Sequence, residues 1–281
     1  EEVRRCGAMP AERVLTLEMT SHGAPLVGED ASLAAASMRL PAGAYSTLRT
    51  YGGRGVVRLG AHLRRLEESV ARLGRPAGVD PAGARHLVGE ALGAGGHAES
   101  RLRLTFAPPR LFASVEAFVP LPPSAYREGV ACVTLSLHRD QPRVKDTGFI
   151  PTARGAYSEL PPGVEEGLLL AADGSILEGL SSNFFGVLEG RLRTEDERAL
   201  PGITRALTLE VARARLDLEA RPVRRQDLPR LEEAFITSTS REVLPVVRID
   251  GEPVADGHPG PRTRELIRDL AVLIRREAEP V

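Results

Sequence analysis

Three prolines in four residues, Pro120, Pro122 and Pro123, interrupt this chain near its middle. Proline has no N–H to give a ladder or a helix interior, and its ring crowds the preceding turn. The stretch PLPPSAYREG is therefore expected to sustain neither strand nor helix. It should serve as a linker, residues 121–128, between a small N-terminal domain, 1–120, and a larger C-terminal domain, 129–281. A length of 281 residues suits one or two domains, and 42% hydrophobic side chains suffice for a substantial core.

On the N-terminal side, GAYSTLRTY, a GGRG turn and VVRL read as a hairpin. Leu59, Leu63, Leu66, Val70 and Leu73 then recur at helical spacing, with Gly74 as the stop. His62 borders this stripe and Arg65 lies on its flank, aimed at a cleft beside the packed face. Asp80-Pro81 reads as an N-cap and first-turn proline opening a second helix. RLRLTF and LFASVEAF read as strands.

Beyond the linker, VACVTLSL is a strand, and the stretch from Val164 to Thr194 is expected to form a three-stranded meander turning at Asp173-Gly174 and Glu189-Gly190. A helix follows Pro201-Gly202, two strands run through EEAFITSTSREVLPVVRIDGEPV, and PRTRELIRDLAVLIRRE closes the chain as a helix. Strands and helices mix without strict βαβ alternation, so the expected class is α+β (α/β mixed).

Several function classes are disfavoured. A formal net charge of −1 with interspersed signs gives no footprint for nucleic acid or membrane. No apolar run approaches the ~20 residues of a membrane span, and the start shows no secretion signal. The chain begins at Glu1 without methionine, which leaves the natural N-terminus open. The six histidines are scattered, Cys6 and Cys132 lie far apart, and no metal site is expected. Cytoplasmic location is the default for such cysteine usage.

Of 37 basic side chains, only Lys145 is a lysine. A guanidinium stays protonated, whereas an ε-amine can lose its proton in a pocket and act as a nucleophile. A biased codon supply would also leave a stray lysine, so the neighbours must decide. An amine that condenses with the aldehyde of pyridoxal phosphate needs company: an anion site, a carboxylate for the pyridine nitrogen and a surface clamping the ring. LPGIT places backbone N–H groups and the Thr204 hydroxyl at a helix start, and Arg65 supplies charge. Chain turning and a solvated arginine would explain either feature alone. Glu178, amid the apolar and small residues of ILEGLSSNFF, must be paired or exposed.

Together, Arg65 in AHLRRL, Lys145 in VKDTGF, EGLSSNFF, LPGITR and FITSTSREVLPV resemble the motifs of the class IV pyridoxal-phosphate enzymes. That family comprises branched-chain and D-amino-acid aminotransferases and 4-amino-4-deoxychorismate lyases. The likeness spans roughly residues 40 to 270. It implies the two-domain fold type IV, a small N-terminal α/β domain with a larger barrel-like C-terminal domain, and a homodimer with each active site near the interface. By the same resemblance, Lys145 forms the internal Schiff base and moves the α-proton, and Glu178 bonds the pyridine nitrogen. Arg65, Ile203, Thr204 and Thr239 look like phosphate ligands, and Leu200 resembles the residue packed on the ring. Ser181 and Asn183 belong to the cofactor loop, while Tyr45, Arg101, Arg103, Ile150 and Ser240 fall at substrate-side positions.

Departures divide the subgroups. Ile150 stands where branched-chain aminotransferases keep a tyrosine, and RLRLTF replaces their arginine-proline strand. The arginine and histidine carboxylate trap of D-amino-acid aminotransferases is missing, as are the asparagine and arginine that follow the lysine in the lyases. The favoured reading is a transaminase acting on a small, mainly apolar amino acid and a 2-oxo acid. A lyase releasing pyruvate from aminodeoxychorismate is the alternative, and a non-catalytic cofactor-binding scaffold is a third.

Overall fold

The computed structural model describes residues 13–281; Cys6 lies outside the described residues. Among the described residues the first sheet has seven strands. It takes β1 (Val14–Glu18), β2 (Leu26–Asp30), β3 (Ala44–Tyr51), β4 (Gly55–Val57), β5 (Ser100–Ala107) and β6 (Arg110–Ala117). The second is built from β7 (Val130–Leu135), β8 (Val164–Leu170), β9 (Ile176–Gly179), β10 (Asn183–Leu188), β11 (Arg191–Arg193), β12 (Asp217–Glu219), β13 (Glu233–Ser238), β14 (Glu242–Ile249) and β15 (Glu252–Pro253). The last strand, β16 (Ala278–Pro280), returns to the first sheet, which is ordered β16-β4-β3-β5-β6-β1-β2.

Among the described residues seven α-helices accompany them: α1 (Leu33–Arg39), α2 (Leu59–Arg72), α3 (Pro81–Gly95), α4 (Pro123–Glu128), α5 (Phe149–Ser158), α6 (Ile203–Ala212) and α7 (Pro261–Glu277). The arrangement is the α+β mixture expected from the sequence.

Strand β5 shows how pattern becomes site. Its leucines, Leu102 and Leu104, are fully buried in the core that α2 and α3 cover. The alternate residues Arg101 and Arg103 face the other way, paired across to Arg49 and Thr47 of β3. Helix α2 buries Leu59, Leu63, Leu66 and Val70, but also His62, Arg65 and Ser69. Helix α3 begins as expected, with the Asp80 carboxylate accepting from the N–H groups of Ala82 and Gly83.

Two expectations need correction. The proline-rich linker is not free of helix: residues 118–122 are irregular, but Pro123 starts α4. Proline at a first helical position sacrifices no intrahelical bond, which the reading of the run as a pure breaker overlooked. The meander also fails. Its middle strand breaks between Gly179 and Ser182, so β9 ends beside β8 while β10 crosses to lie between β11 and β13. The second sheet curls so that the Gly179 N–H reaches the Ser182 carbonyl at 2.7 Å. Strands β1, β2 and β16 and helix α1 were not anticipated. No helix among the described residues is long and apolar enough to cross a membrane.

Candidate active site

A cavity of about 420 Å³ opens between the two sheets, and Lys145 lines it. The loop carrying Lys145 is stitched to the first sheet and to α2: its carbonyl accepts from the Tyr45 N–H of β3 at 2.8 Å, and its N–H donates to Ser69 Oγ of α2 at 3.3 Å. Lys145 Nζ lies 4.8 Å from the centre of the Tyr45 ring. Burial lowers the amine to a pKa of about 8; Arg65 and Arg139 push the same way, while Tyr45 and Glu178 oppose them. Near neutral pH a usable fraction is therefore unprotonated.

Glu178 closes β9 at the break in the sheet, 3% exposed. Its Oε2 accepts the Leu200 N–H at 3.0 Å, and its Oε1 accepts from Arg139 Nη1 at 3.0 Å. Burial lifts its pKa, against the pull of the Arg139 guanidinium, the Leu200 N–H and Lys145. The geometry, two donors on one carboxylate, suits the ionised form. Asn183 Nδ2 donates to the Leu200 carbonyl at 2.8 Å and lies 3.5 Å from Glu178 Oε2, tying the two segments together.

The start of α6 leaves its first backbone N–H groups without a side-chain cap, and Ile203 and Thr204 of its first turn line the cavity. Gly202 is required here by close approach, because a Cβ would fall 2.1 Å from Asn183 Oδ1. Arg65 also lines the cavity, 7% exposed, with its Nε buried and without a partner. Burial lowers its pKa to about 10, so it remains cationic at neutral pH. Thr239 lines the same wall, its hydroxyl donating to the Thr47 carbonyl at 3.1 Å.

On the remaining wall, Arg103 sits 4.7 Å from the Tyr45 ring centre and donates to Ser37 Oγ at 2.7 Å, with its Nε unpartnered. Burial raises the Tyr45 pKa, but the Lys145, Arg103 and Arg139 cations outweigh it and the net shift is downward. Arg101 reaches the cavity while paired with Glu116. Leu200, Ser181 and Ser240 line it too. Ile150 does not: it is 8% exposed and turned away in the first turn of α5, so the structure does not bring it into the constellation.

Two features escaped the sequence reading. Arg139, six residues before the lysine, holds Glu178 and stacks 4.7 Å from the Phe149 ring. Its only signal was a basic residue in the same loop. The other is a buried hub. Arg241 Nη2 donates to Glu166 Oε2 at 2.8 Å and to Ser181 Oγ at 2.7 Å, and Tyr157 donates to Glu166 Oε1 at 2.6 Å. Glu166 is fully buried, so the hub braces the 179–183 loop from behind. Among the described residues, no cluster of three or more His, Cys, Asp or Glu is placed to hold a metal.

Fold and site together define a class, the fold type IV aminotransferases. The structure aligns with the branched-chain aminotransferase of the thermophilic archaeon Thermoproteus uzoniensis with norvaline at a TM-score of 0.77, covering 95% of this chain and 99% of that one at 21% identity. At that identity the likeness shows the fold alone. Residues 43–249 match the amino-transferase class IV family, and the chain belongs to it. A branched-chain-amino-acid aminotransferase of Escherichia coli is 36% identical over 121 residues, 42% of this chain and 39% of that one. The 4-amino-4-deoxychorismate lyase from Pseudomonas aeruginosa aligns at a TM-score of 0.68 and 27% identity, covering 82% of this chain and 90% of that one. The chain spans about half or less of the length of the curated relatives it matches.

Proposed function

We propose that this protein is a pyridoxal 5'-phosphate-dependent transaminase moving an amino group between a small, mainly apolar amino acid and a 2-oxo acid with ping-pong kinetics. One observation carries the reading: a lysine amine lowered to about pKa 8 and a paired, buried carboxylate open on one cavity that also holds an uncapped helix start and Arg65. The cavity lies within the size range of cofactor sites. Unpartnered Arg65 Nε and the free first turn of α6 fit a phosphate, and Glu178 fits a protonated ring nitrogen.

Bound pyridoxal phosphate supplies an aldehyde for amine exchange and a ring that takes up electron density when its nitrogen is protonated. The chain's own residues do the rest. Arg65, Thr204 and the Ile203 and Thr204 N–H groups, with Thr239 beside them, hold the phosphate, and Leu200 packs on the ring. Glu178, fixed by Arg139 and Leu200, keeps a proton at the ring nitrogen. Lys145 Nζ would take the proton from the substrate's α-carbon as general base and then hold it for delivery as general acid at a different carbon. Arg103, with Arg101 and Ser240 nearby, receives the substrate carboxylate, and Tyr45 packs beside the reacting carbon.

The division into 1–120 and 129–281 with a 121–128 connection is supported by the change of sheet between β6 and β7, although β16 at the chain's end crosses back to pair with β4. We place the protein in the cytoplasm as a homodimer. Val119, 81% exposed at the cavity mouth, is the apolar side chain such an interface would cover.

The arginine-rich cavity wall and the lyase neighbour favour one second reading, release of pyruvate from aminodeoxychorismate. Supplying L- and D-amino acids with and without 2-oxoglutarate separates the two. Sustained turnover only with the 2-oxo acid supports the transaminase. Pyruvate release from aminodeoxychorismate without it would establish the lyase.

A further inference from the structure

Helix α2 puts three polar side chains on one buried stripe, His62, Arg65 and Ser69, at i, i+3 and i+7. They are 3%, 7% and 1% exposed, so each needs a partner inside the protein. Ser69 accepts the Lys145 N–H. Arg65 Nη2 reaches Ser46 Oγ at 2.7 Å, and Ser46 Oγ lies 2.8 Å from His62 Nδ1.

A guanidinium only donates, so the Ser46 oxygen accepts from Arg65, and the same hydroxyl group bonds His62 Nδ1. Burial and the Arg65 cation hold the His62 imidazole well below its ordinary pKa, so it is neutral. Ser46 belongs to β3, whose alternate residues Tyr45 and Thr47 line the cavity, so the relay joins α2 to the strand that walls the site. Among the described residues Arg65 is not neutralised by a neighbouring carboxylate, a condition it shares with Arg103 and Lys145 of the same cavity. Arg139, Arg205 and Arg241 each pair with a carboxylate, whereas among the described residues no carboxylate lies within 4.0 Å of Arg65. A neutral hydroxyl and imidazole orient its guanidinium without neutralising it.

We propose that Ser46 and His62 are positioning residues for the phosphate clamp, a neutral two-bond relay that aims Arg65 while leaving its charge for the cofactor's anion. This rests on the reading of Arg65 as a phosphate ligand. The test compares two ligands of the metal-free, cofactor-free full chain: pyridoxal 5'-phosphate, and pyridoxal, which has the same ring without phosphate.

His62→Leu and Ser46→Ala should weaken pyridoxal 5'-phosphate binding by about tenfold or more and change pyridoxal binding by about twofold or less. His62→Asn, whose amide can donate or accept near the Nδ1 position, should hold the phosphate ligand within about threefold of the parent. Equal losses for both ligands, or no loss for either, would overturn the relay. Arg65→Met separates the layers. If it leaves the preference for the phosphorylated ligand intact, the phosphate assignment itself fails; if it abolishes the preference while His62→Leu and Ser46→Ala do not, only the relay fails.

Discussion

Arg139 and Glu178 form an ion pair at 3.0 Å with side chains 8% and 3% exposed, one from the lysine loop and the other from the end of β9. The pair joins the loop that presents the amine to the strand that presents the acid. Breaking a buried pair from one side leaves a charge with no compensation, at a cost of about 3–5 kcal/mol. Arg139→Met is therefore expected to lower the denaturation midpoint clearly and, in protein that still folds, to slow turnover by weakening the grip on the Glu178 carboxylate. Unchanged stability and rate would show that the pair is incidental.

Glu178→Ala removes the acid and keeps the phosphate site and Lys145. The cofactor should remain bound, while turnover falls roughly 100-fold or more, the scale seen when a group aimed at developing charge is lost. Absorbance titration measures the first quantity and steady-state kinetics the second.

The amine of Lys145 should titrate near pH 8, mainly because burial disfavours its charge. Cofactor capture by cofactor-free protein is expected to rise with pH to a midpoint near that value, well under the ~10.4 of an ordinary lysine. Stability moves in a definite direction. Below pH 8 both folded and unfolded chains carry the proton and the burial penalty is complete. Between pH 8 and about 10.4 the unfolded chain binds the proton that the folded chain has released, so stability rises with pH. The stability gap between Lys145→Met and the parent should narrow across that window.

The Glu166 and Arg241 hub predicts a different phenotype. Glu166→Gln leaves the Arg241 guanidinium with a weakened partner in a fully buried position, so the denaturation midpoint should fall. Ser181 and Ser182, which bond the same carboxylate, should become mobile, seen as faster amide exchange across 179–183. Protection unchanged there would remove the bracing role.

Much of this arrangement was legible because local patterns and global fold agree. Alternation in RLRLTF put two leucines into the core and two arginines toward the cavity, and helical spacing gave α2 its buried stripe. Lys145 stood out through contrast with arginine. What remained hidden depends on contacts across long sequence distances. The sheet break at Gly179 looks from sequence like a continuing strand, because its cause is curl of the whole sheet rather than a local turn signal. Arg139 and Arg241 carry no local signal of their pairing, since their carboxylate partners lie 39 and 75 residues away. Ile150 shared a loop with the lysine, yet the onset of α5 one residue earlier rotated it into the core.

The most direct test is to reconstitute the full chain with pyridoxal 5'-phosphate, reduce it with borohydride and map the added mass by peptide sequencing. The account predicts a single phosphopyridoxyl mass on Lys145 and none in Lys145→Ala. A reducible adduct that persists in Lys145→Ala, or the absence of any adduct in the parent, would contradict it.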